Sequence, residues 1–303
     1  MSDINFNKQK PEVPIIIIER DDDELLSAPT ASTPPLRRRW LHWLLMLVAA
    51  TSAMALVAGG YMWWRYYFNI GIPVSTSPRE NIAKLKQPLK QETPEVVMTS
   101  DSLLGVALDF YAIHGLQASI EFKEPDSLDR SVFLYSRCAD FKPDGSIIGS
   151  LVAEGAKLQS DRSRLGYMAM ADGRQVIGIG RSDRVKDYVA ERGGSFFRQF
   201  ILVSDGVIPM RFYLHGKVER RAIGRMGDTL YYIATRHKET LWDFADALRE
   251  YGFTDAIYIT GGNDPCFYRT ADGQRHDIGQ PREEPIVKWK GVIPWLVFRP
   301  ARQ

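Results

Sequence analysis

One long stretch of the chain, residues 40–64, is predominantly apolar. It contains no Asp, Glu, Lys or Arg, and its one ionisable residue, His42, lies near its start. At ~1.5 Å per helical residue it would extend about 37 Å, enough to cross the ~30 Å hydrocarbon core of a membrane. Aromatic residues gather at its ends, as they do at membrane–water interfaces: Trp40, Trp43, Tyr61, Trp63, Trp64, Tyr66 and Tyr67. The pattern predicts a transmembrane helix, because a buried core helix is rarely this long and this apolar.

Positive charge differs between the two sides of this span. Arg37, Arg38 and Arg39 directly precede it, whereas only Arg65 directly follows it. Basic residues favour the cytoplasmic side, so the N-terminus is predicted to be cytoplasmic and the C-terminal part periplasmic or extracellular. A cleaved signal peptide is the alternative. Residues 1–36 precede the arginines, the apolar run is long, and no clean small-x-small site follows, so we expect an uncleaved signal anchor.

Small residues recur every four positions within the span, at Thr51, Ala55 and Gly59. This spacing lets two membrane helices approach closely, so a homodimer through the helix is one expectation. A single anchor is the other, because small residues are common in membrane helices.

The segments that flank the span lack a lasting hydrophobic period. Residues 1–36 combine an apolar run at 15–18 with an acidic run at 21–24 and are predicted to form a disordered cytoplasmic tail. The apolar run could instead add a strand to a partner's sheet. Residues 65–95, with prolines among Ser, Thr and Lys, are predicted to form a stalk with a short helix around Glu80–Lys86.

Residues 96–303 have the pattern of one folded domain. Short apolar runs are separated by turn signals such as Ala171-Asp172-Gly173 and Met226-Gly227-Asp228. Turns of this composition between β-prone runs predict hairpins. The first is formed by 167–171 with 175–179, and the second by 221–225 with 229–234.

Two helices are predicted in the same domain. Ser182 can cap one over 183–191. The other begins at Thr240, which with Asp243 resembles a capping box, and ends at Gly252. Its apolar residues follow helical spacing: Leu241, Phe244, Ala245 and Leu248. A strand over 255–260 follows, so the expected fold class is α+β, with a mixed, largely antiparallel sheet, packed helices and one preceding transmembrane helix.

Composition and charge exclude several functional classes. Lys and Arg total 39 against 37 Asp and Glu, a net charge of +2 that argues against a dedicated nucleic-acid binder. Two cysteines exclude a disulfide-rich scaffold and a Cys-rich zinc module. Five histidines occur in no metal-binding spacing, so no metal site is predicted and no cofactor is assigned. Cys138 and Cys266 would both be exported, where a disulfide can persist, but their spacing does not decide whether they pair.

Three stretches, in order, resemble the phosphodiester glycosidase domain family. The first is Gly193-Gly194-Ser195-Phe196-Phe197, where the family has an Asn-Gly-Gly-Phe-Phe type stretch. The second is Arg220-Arg221-Ala222-Ile223-Gly224, similar to Arg-Thr-Ala-Ile-Gly. The third runs from Thr240 through the helix and strand to the turn Thr260-Gly261-Gly262-Asn263-Asp264, where the family has Asp-Gly-Gly-Gly-Ser.

The resemblance implies a substrate site at these motifs. Substrate-binding residues carried over from it are Arg220, Thr260, Gly261, Gly262, Asn263, Gly193 and Gly194. Thr260 stands where the family has Asp, and Thr cannot ionise, whereas cleaving a glycosyl–phosphate bond needs carboxylates. Asp264, four positions later, is therefore the expected substitute catalytic acid. Arg198 and Arg221 are expected either to add positive charge to the cleft or to be ordinary surface or ion-pair residues.

Two functions remain open at this stage. One is a membrane-anchored, exported hydrolase that acts on a sugar phosphodiester or an envelope glycan, with Arg220 holding the phosphate. The other is a catalytically inactive member of the fold that binds an envelope glycan or a protein. The expected partners are therefore a membrane, crossed once, and a carbohydrate or sugar-phosphate ligand.

Overall fold

The computed structural model of the protein describes residues 36–68, 75–88, 92–210, 212, 215–260, 264, 266–279 and 293–301. The predicted N-terminal tail, except for residue 36, lies outside the described residues. Four helices are present in the described parts: α1 (Leu36–Phe68), α2 (Pro78–Leu85), α3 (Arg184–Glu191) and α4 (Leu241–Tyr251).

The described strands number sixteen. In chain order they are β1 (Glu95–Leu103), β2 (Val106–His114), β3 (Leu116–Glu121), β4 (Leu134–Arg137), β5 (Leu151–Ala153), β6 (Ala156–Gln159), β7 (Gly166–Ala171), β8 (Arg174–Ile179), β9 (Ser195–Gln199), β10 (Ile201–Ser204), β11 (Arg221–Met226), β12 (Thr229–Thr235), β13 (Asp255–Ile259), β14 (Cys266–Arg269), β15 (Arg275–Ile278) and β16 (Trp295–Pro300).

Helix α1 has the properties predicted for the apolar stretch. Within it, Trp40–Trp64 has a mean hydropathy of 1.9 and buries none of its residues against the rest of the chain. It is long and apolar enough to span a membrane, which is consistent with a single-pass anchor.

The strands form three antiparallel sheets, as the hairpin signals predicted. The largest has the order β1-β2-β12-β11-β13-β10, and the two five-stranded sheets have the orders β15-β14-β4-β16-β3 and β6-β5-β9-β7-β8. Both predicted hairpins are confirmed. Strands β7 and β8 pair from Gly166↔Ile179 to Ala171↔Arg174, and β11 and β12 pair from Arg221↔Ala234 to Met226↔Thr229. The predicted α+β class is therefore confirmed.

Helix α4 begins and ends as its sequence predicts. The Asp243 backbone N–H donates to the Thr240 hydroxyl at 3.0 Å, which satisfies one of the free N–H groups of the first turn. At the other end Gly252 adopts a left-handed conformation, with φ of 101°, which a residue without Cβ adopts at little cost. The apolar stripe between them is buried and packs on the six-stranded sheet in one cluster with apolar residues of β2, β10 and β13.

Helix α3 begins one residue later than predicted. Its N-cap is Asp183, and the Ser182 hydroxyl accepts a hydrogen bond from the Arg184 N–H at 3.3 Å. Ser182 therefore hydrogen-bonds to the first turn of the helix, but from the position before the N-cap rather than as the N-cap itself.

The segment predicted as a stalk contributes to the packed core. The predicted short helix is present as α2, with Pro78 in its first turn and Ser77 as its N-cap. Leu85 is fully buried among residues of β5, β7, α3 and β9, and the Asn81 amide donates to the Tyr167 hydroxyl at 2.6 Å. Residues 75–88 therefore pack with the domain that was predicted to begin at residue 96.

We predict that Leu85→Ala lowers the free energy of unfolding by about 2–5 kcal/mol, because it leaves a cavity under α2. Leu128 is 82% exposed and provides a matched control. Leu128→Ala should change stability by less than about 0.5 kcal/mol. Urea unfolding of the detergent-solubilised protein measures both, and equal effects of the two substitutions would contradict the packing of α2.

Candidate functional site

The C-terminal end of β13 meets the segment that follows β4. Thr260 comes directly after β13, and its hydroxyl donates to Asp140 Oδ1 at 3.1 Å. The backbone O of Asp140 accepts a hydrogen bond from the Ile148 N–H at 2.9 Å, which fixes the loop that carries the carboxylate. A carboxyl group from elsewhere in the chain therefore lies beside Thr260.

Asp140 was not predicted as a site residue. It lies 120 positions from Thr260 in sequence, and only the packing of two different sheets brings the two together. The one local signal was a charged residue shortly after the short apolar run of β4, which is common on any protein surface.

The surroundings of Asp140 favour its protonated form. Burial of its carboxyl group raises its pKa, and the nearby charge of Asp264 adds to this effect. The Thr260 hydroxyl and the guanidinium groups of Arg137 and Arg164 act in the opposite direction without cancelling it. A raised pKa lets a carboxyl group keep its proton to a higher pH, which is a property of general acids in enzymes.

Asp264, the predicted substitute acid, is buried in an ion pair. Its Oδ2 lies 3.2 Å from Nε of Arg137, and its residue is 1% exposed. Its backbone O accepts a hydrogen bond from Nη2 of Arg221 at 2.9 Å. Asp264 is therefore close enough to Asp140 to affect its pKa, but the chain surrounds it on all sides. Its role as an acid stays a prediction.

Arg220 lies in the same region, close to Tyr258 on β13. Its guanidinium carbon is 5.8 Å from the centre of the Tyr258 ring. Its Nε donates to the Glu239 backbone O at 3.0 Å and its Nη2 to the Gly216 backbone O at 2.7 Å. Much of its hydrogen-bonding capacity therefore holds neighbouring backbone in place. Tyr258 has a raised pKa because it is buried, and Asp140 also raises it.

Arg198 and Arg221 are both buried and are bound by the chain itself. Arg198 donates to the backbone O atoms of Gly180 and Ser182 at 2.6 and 3.1 Å and lies 3.6 Å from the Asp183 carboxylate. Burial lowers its pKa, and Asp183 partly offsets this effect. Arg198 is therefore an ion-pair residue, which was one of the two alternatives predicted from the sequence. Arg221 instead contacts the backbone of Asp264.

Gly193 and Gly194 lie between the end of helix α3 and the start of β9. The N–H groups of Gly193 and Gly194 donate to the Ala190 and Val189 O atoms at 3.2 and 2.9 Å, which caps the helix. A Cβ on Gly194 would lie 2.2 Å from the Met170 O, so only glycine fits there.

These two glycines lie at the far end of β9 from the Thr260 cluster. The other end of the strand is followed by Phe200, whose backbone O accepts the Tyr258 N–H at 2.8 Å. The structure thus gives the glycine pair a helix-capping role away from Asp140, while its predicted role in substrate binding stays a prediction. Gly261, Gly262 and Asn263 lie outside the described residues.

Neither the cysteines nor the metal-binding residue types form a second candidate site in the described parts of the chain. Cys138 and Cys266 are free, buried thiols, and burial raises the pKa of Cys138 to about 12. Cys266 lies 3.4 Å from the Tyr232 hydroxyl, and burial raises its pKa as well. Among the described residues, no three His, Cys, Asp or Glu side chains are grouped so that they could hold a metal ion.

The raised pKa of Asp140 predicts a pH-dependent effect of Asp140→Asn on stability. The folded protein holds this proton more tightly than the unfolded chain. The contribution of Asp140 is therefore full below pH 3.8, the ordinary value, and is lost as pH rises through the raised pKa. An Asn side chain can still accept the hydrogen bond from Thr260 but does not ionise. The variant therefore does not lose stability at this position as pH rises. The stability of Asp140→Asn relative to wild type should thus increase from acidic to neutral pH.

Asp144→Asn in the same loop is the matched control, with the opposite sign expected. Hydrogen bonds from Ser146 lower the pKa of Asp144, so its contribution is present above pH 3.8 and lost in acid. Urea unfolding at several pH values measures both variants. A parallel trend in the two would show that Asp140 does not hold its proton in the folded state.

Comparisons with known proteins show a similarity of fold. No family model and no curated protein sequence matches the chain. One similar solved structure is the catalytic domain of zebrafish N-acetylglucosamine-1-phosphodiester alpha-N-acetylglucosaminidase, auto-inhibited by its pro-peptide. It has a TM-score of 0.49 and 13% identity, over 71% of this chain and 86% of that one. A hypothetical protein from Synechocystis matches with a TM-score of 0.50 and 9% identity, over 67% of this chain and 62% of that one. At this identity the similarity concerns the fold alone.

Proposed function

We propose that the folded domain is a membrane-anchored, exported hydrolase of a sugar phosphodiester or an envelope glycan. The observation that carries this proposal is Asp140, a carboxyl group with a raised pKa that accepts a hydrogen bond from Thr260. It supplies an ionisable group beside the position where the sequence resemblance would require an Asp.

The two carboxylates are suited to different tasks. Asp140 has a raised pKa and is half-buried, so its protonated form can donate to the oxygen that leaves the anomeric carbon as the glycosidic bond breaks. Water then adds its hydroxyl group to that carbon, and its remaining proton restores the carboxyl group. Asp264 is enclosed with Arg137, and its negative charge adds to the rise in the pKa of Asp140. We therefore assign the role of acid to Asp140 and an electrostatic role to Asp264.

The same cluster also provides positive charge. A protonated carboxyl is needed most where an alkoxide leaves, and cations are needed most where a phosphate leaves. Arg137 and Arg164 lie near Asp140, and Arg220 lies beside Tyr258. The site thus provides both a carboxyl group with a raised pKa and cations. Glycosides and sugar phosphodiesters should therefore both be assayed as substrates.

A non-catalytic scaffold is the second candidate, and the hydrogen bonds that the arginines make to the backbone favour it. Arg220 donates to two backbone carbonyl groups and Arg221 donates to another. Guanidinium groups that hold backbone in place stabilise a binding surface but contribute less to a reacting phosphate.

We predict that Asp140→Asn lowers turnover of a chromogenic sugar 1-phosphodiester or of a nitrophenyl glycoside by about 10²–10⁴-fold, the usual contribution of a general acid. Steady-state hydrolysis by the full chain in detergent measures this effect. Asp144→Asn removes a carboxylate from the same loop and should retain wild-type turnover.

Wild-type turnover in Asp140→Asn would remove Asp140 from the mechanism. If the wild-type protein hydrolyses both substrates no faster than Asp140→Asn does, and still binds a glycan saturably, the non-catalytic scaffold is the better description.

The proposed export has its own test. The three arginines before the span and the single arginine after it favour a cytoplasmic N-terminus. A reporter that is active only outside the cytoplasm, fused after Gln303, should therefore be active in cells. A fusion placed before the apolar helix is the control and should be inactive. The reverse pattern would place the domain in the cytoplasm.

A further inference from the structure

We propose that the domain carries a docking surface for anionic phospholipid at the place where the chain enters it. The surface, called here the entry surface, contains Arg79 in the first turn of α2 and Arg184, the first residue of α3. The inference rests on the membrane anchor of the proposed function and not on the proposed hydrolysis. It holds on whichever side of the membrane the domain lies.

The point at which the chain enters the domain is fixed by hydrogen bonds. The Thr76 N–H donates to the Ile179 backbone O at 2.9 Å, and the Thr76 hydroxyl accepts from the Ile179 N–H at 3.0 Å. A Cβ on Gly178 would lie 2.5 Å from both the Asn81 amide nitrogen and the Tyr167 hydroxyl oxygen, so glycine is what lets α2 pack here. The residues around Thr76 are therefore attached to the C-terminal end of β8.

The covalent chain limits how far the entry surface can lie from a bilayer. Residues 69–74 connect α1 to Ser75, and at about 3.5 Å per extended residue this connection spans at most ~25 Å. A short connection holds an attached surface at a high effective concentration, so a weak attraction is sufficient for contact. Because α1 is the proposed anchor, the part of the domain nearest to Ser75 is the part best placed to meet lipid.

Both arginines lie at this end of the five-stranded sheet that contains β8. Strand β8 ends at Ile179, and the chain leads through the exposed Arg181 to α3, which begins at Arg184. Helix α2 begins beside the same strand end, because Thr76 is bonded to Ile179. Arg79 and Arg184 are both exposed, so the two side chains can reach a charged surface from the same end of the domain.

The acidic residues at this end do not balance its positive charge. Asp183 lies 3.2 Å from Nζ of Lys186 and 3.6 Å from Nη2 of Arg198, and it also pairs with Arg162. Three cations thus surround one carboxylate. Glu80 is the exposed acidic residue in the first turn of α2, and it offsets one further positive charge. The entry surface is therefore basic, as a surface that meets anionic lipid must be.

Helix stability does not account for the position of the two arginines. The dipole of a helix favours acidic residues in its first turn and basic residues in its last turn. Arg79 and Arg184 lie in first turns, where their charge opposes the dipole. Their placement is explained by an external partner of negative charge that the anchor brings close.

The test is the exposure of a fluorescent label at Ser182, an exposed residue of the entry surface, in the full chain reconstituted into nanodiscs. Ser182→Cys directs the label, because Cys138 and Cys266 are buried. Quenching by acrylamide, which is uncharged, is compared between discs of phosphatidylcholine and discs that also contain phosphatidylglycerol.

We expect the label to be quenched at least about threefold less in the anionic discs, because each basic residue near an anionic surface favours contact about fivefold. Salt at about 1 M should remove the difference, since it shortens the Debye length to ~3 Å. A label on Leu128→Cys, 82% exposed on a loop of another sheet, should be quenched equally in both kinds of disc.

Charge variants test which residues make the contact. Arg79→Gln combined with Arg184→Gln should remove most of the protection, whereas Arg79→Lys combined with Arg184→Lys should keep it. Arg249→Gln combined with Arg275→Gln is the matched control, because it removes two charges from exposed side chains on α4 and β15. This control should behave as wild type does.

Three results would each overturn the proposal. They are equal quenching of the wild-type label in the two lipids, an equal loss of protection in the two glutamine pairs, and equal protection of the labels at positions 182 and 128. A thermal melt identifies any variant that has lost its fold, and the salt dependence of the wild-type label tests the surface without a charge variant. Absent hydrolysis would leave the entry surface in place, and equal quenching would leave the proposed enzyme in place.

Discussion

The candidate site depends on the balance of charges that lie below the surface of the protein. Asp264 and Arg137 form an ion pair in which both residues are almost completely enclosed. Removing one member of such a pair leaves the other charged and unsolvated, which costs about 3–5 kcal/mol. The half-buried Asp140 lies in the field of this pair, and its own desolvation raises its pKa. The raised pKa of Asp140 is thus chiefly a consequence of its own burial, to which the charge of Asp264 adds.

The scaffold keeps this arrangement in place through backbone hydrogen bonds. Strand β13 pairs with β11 on one side and β10 on the other, so its C-terminal end is fixed from both directions. Buried arginines complete the support by donating to backbone carbonyl groups, as Arg198 does at Gly180 and Ser182. Arg198 of β9 thus holds the loop that follows β8 in its own sheet, whereas Arg221 of β11 joins the six-stranded sheet to the segment before β14 by donating to the Asp264 backbone O.

Local sequence signals predicted the parts of the fold that local interactions determine. Thr240 caps α4 through a residue three positions away, and Gly252 ends the helix because it tolerates a positive φ. The two hairpins follow from turn residues between short apolar runs. The short helix was predicted but its packing was not, because prolines among Ser, Thr and Lys on either side of it indicated a stalk rather than part of a core. In the structure one of these prolines, Pro78, occupies the first turn of the helix, where its missing N–H costs nothing.

The roles that the resemblance implies for Thr260, Asp264 and Arg220 stay predictions. Thr260 and Asp264 follow β13 along the chain, and Arg220 lies close to Tyr258 on the same strand. Asp140 and Arg164 belong to loops more than 90 positions away and are joined to β13 only by tertiary packing. A single sequence contains no signal for such long-range pairs, since their residue types are ordinary on any surface.

The concentration of charge around Asp140 is difficult to explain by stability alone. Replacing a buried ion pair by apolar side chains of similar volume is often neutral or stabilising, so a fold gains little from keeping one. The strand ends beside Thr260 nevertheless retain two carboxylates with several guanidinium groups, and the hydrophobic clusters next to them show that apolar packing was available. A carboxyl group with a raised pKa and cations placed near it suit a ligand that carries negative charge. The electrostatics of the cluster therefore support a functional site more strongly than a structural one, whether that site cleaves its ligand or only binds it.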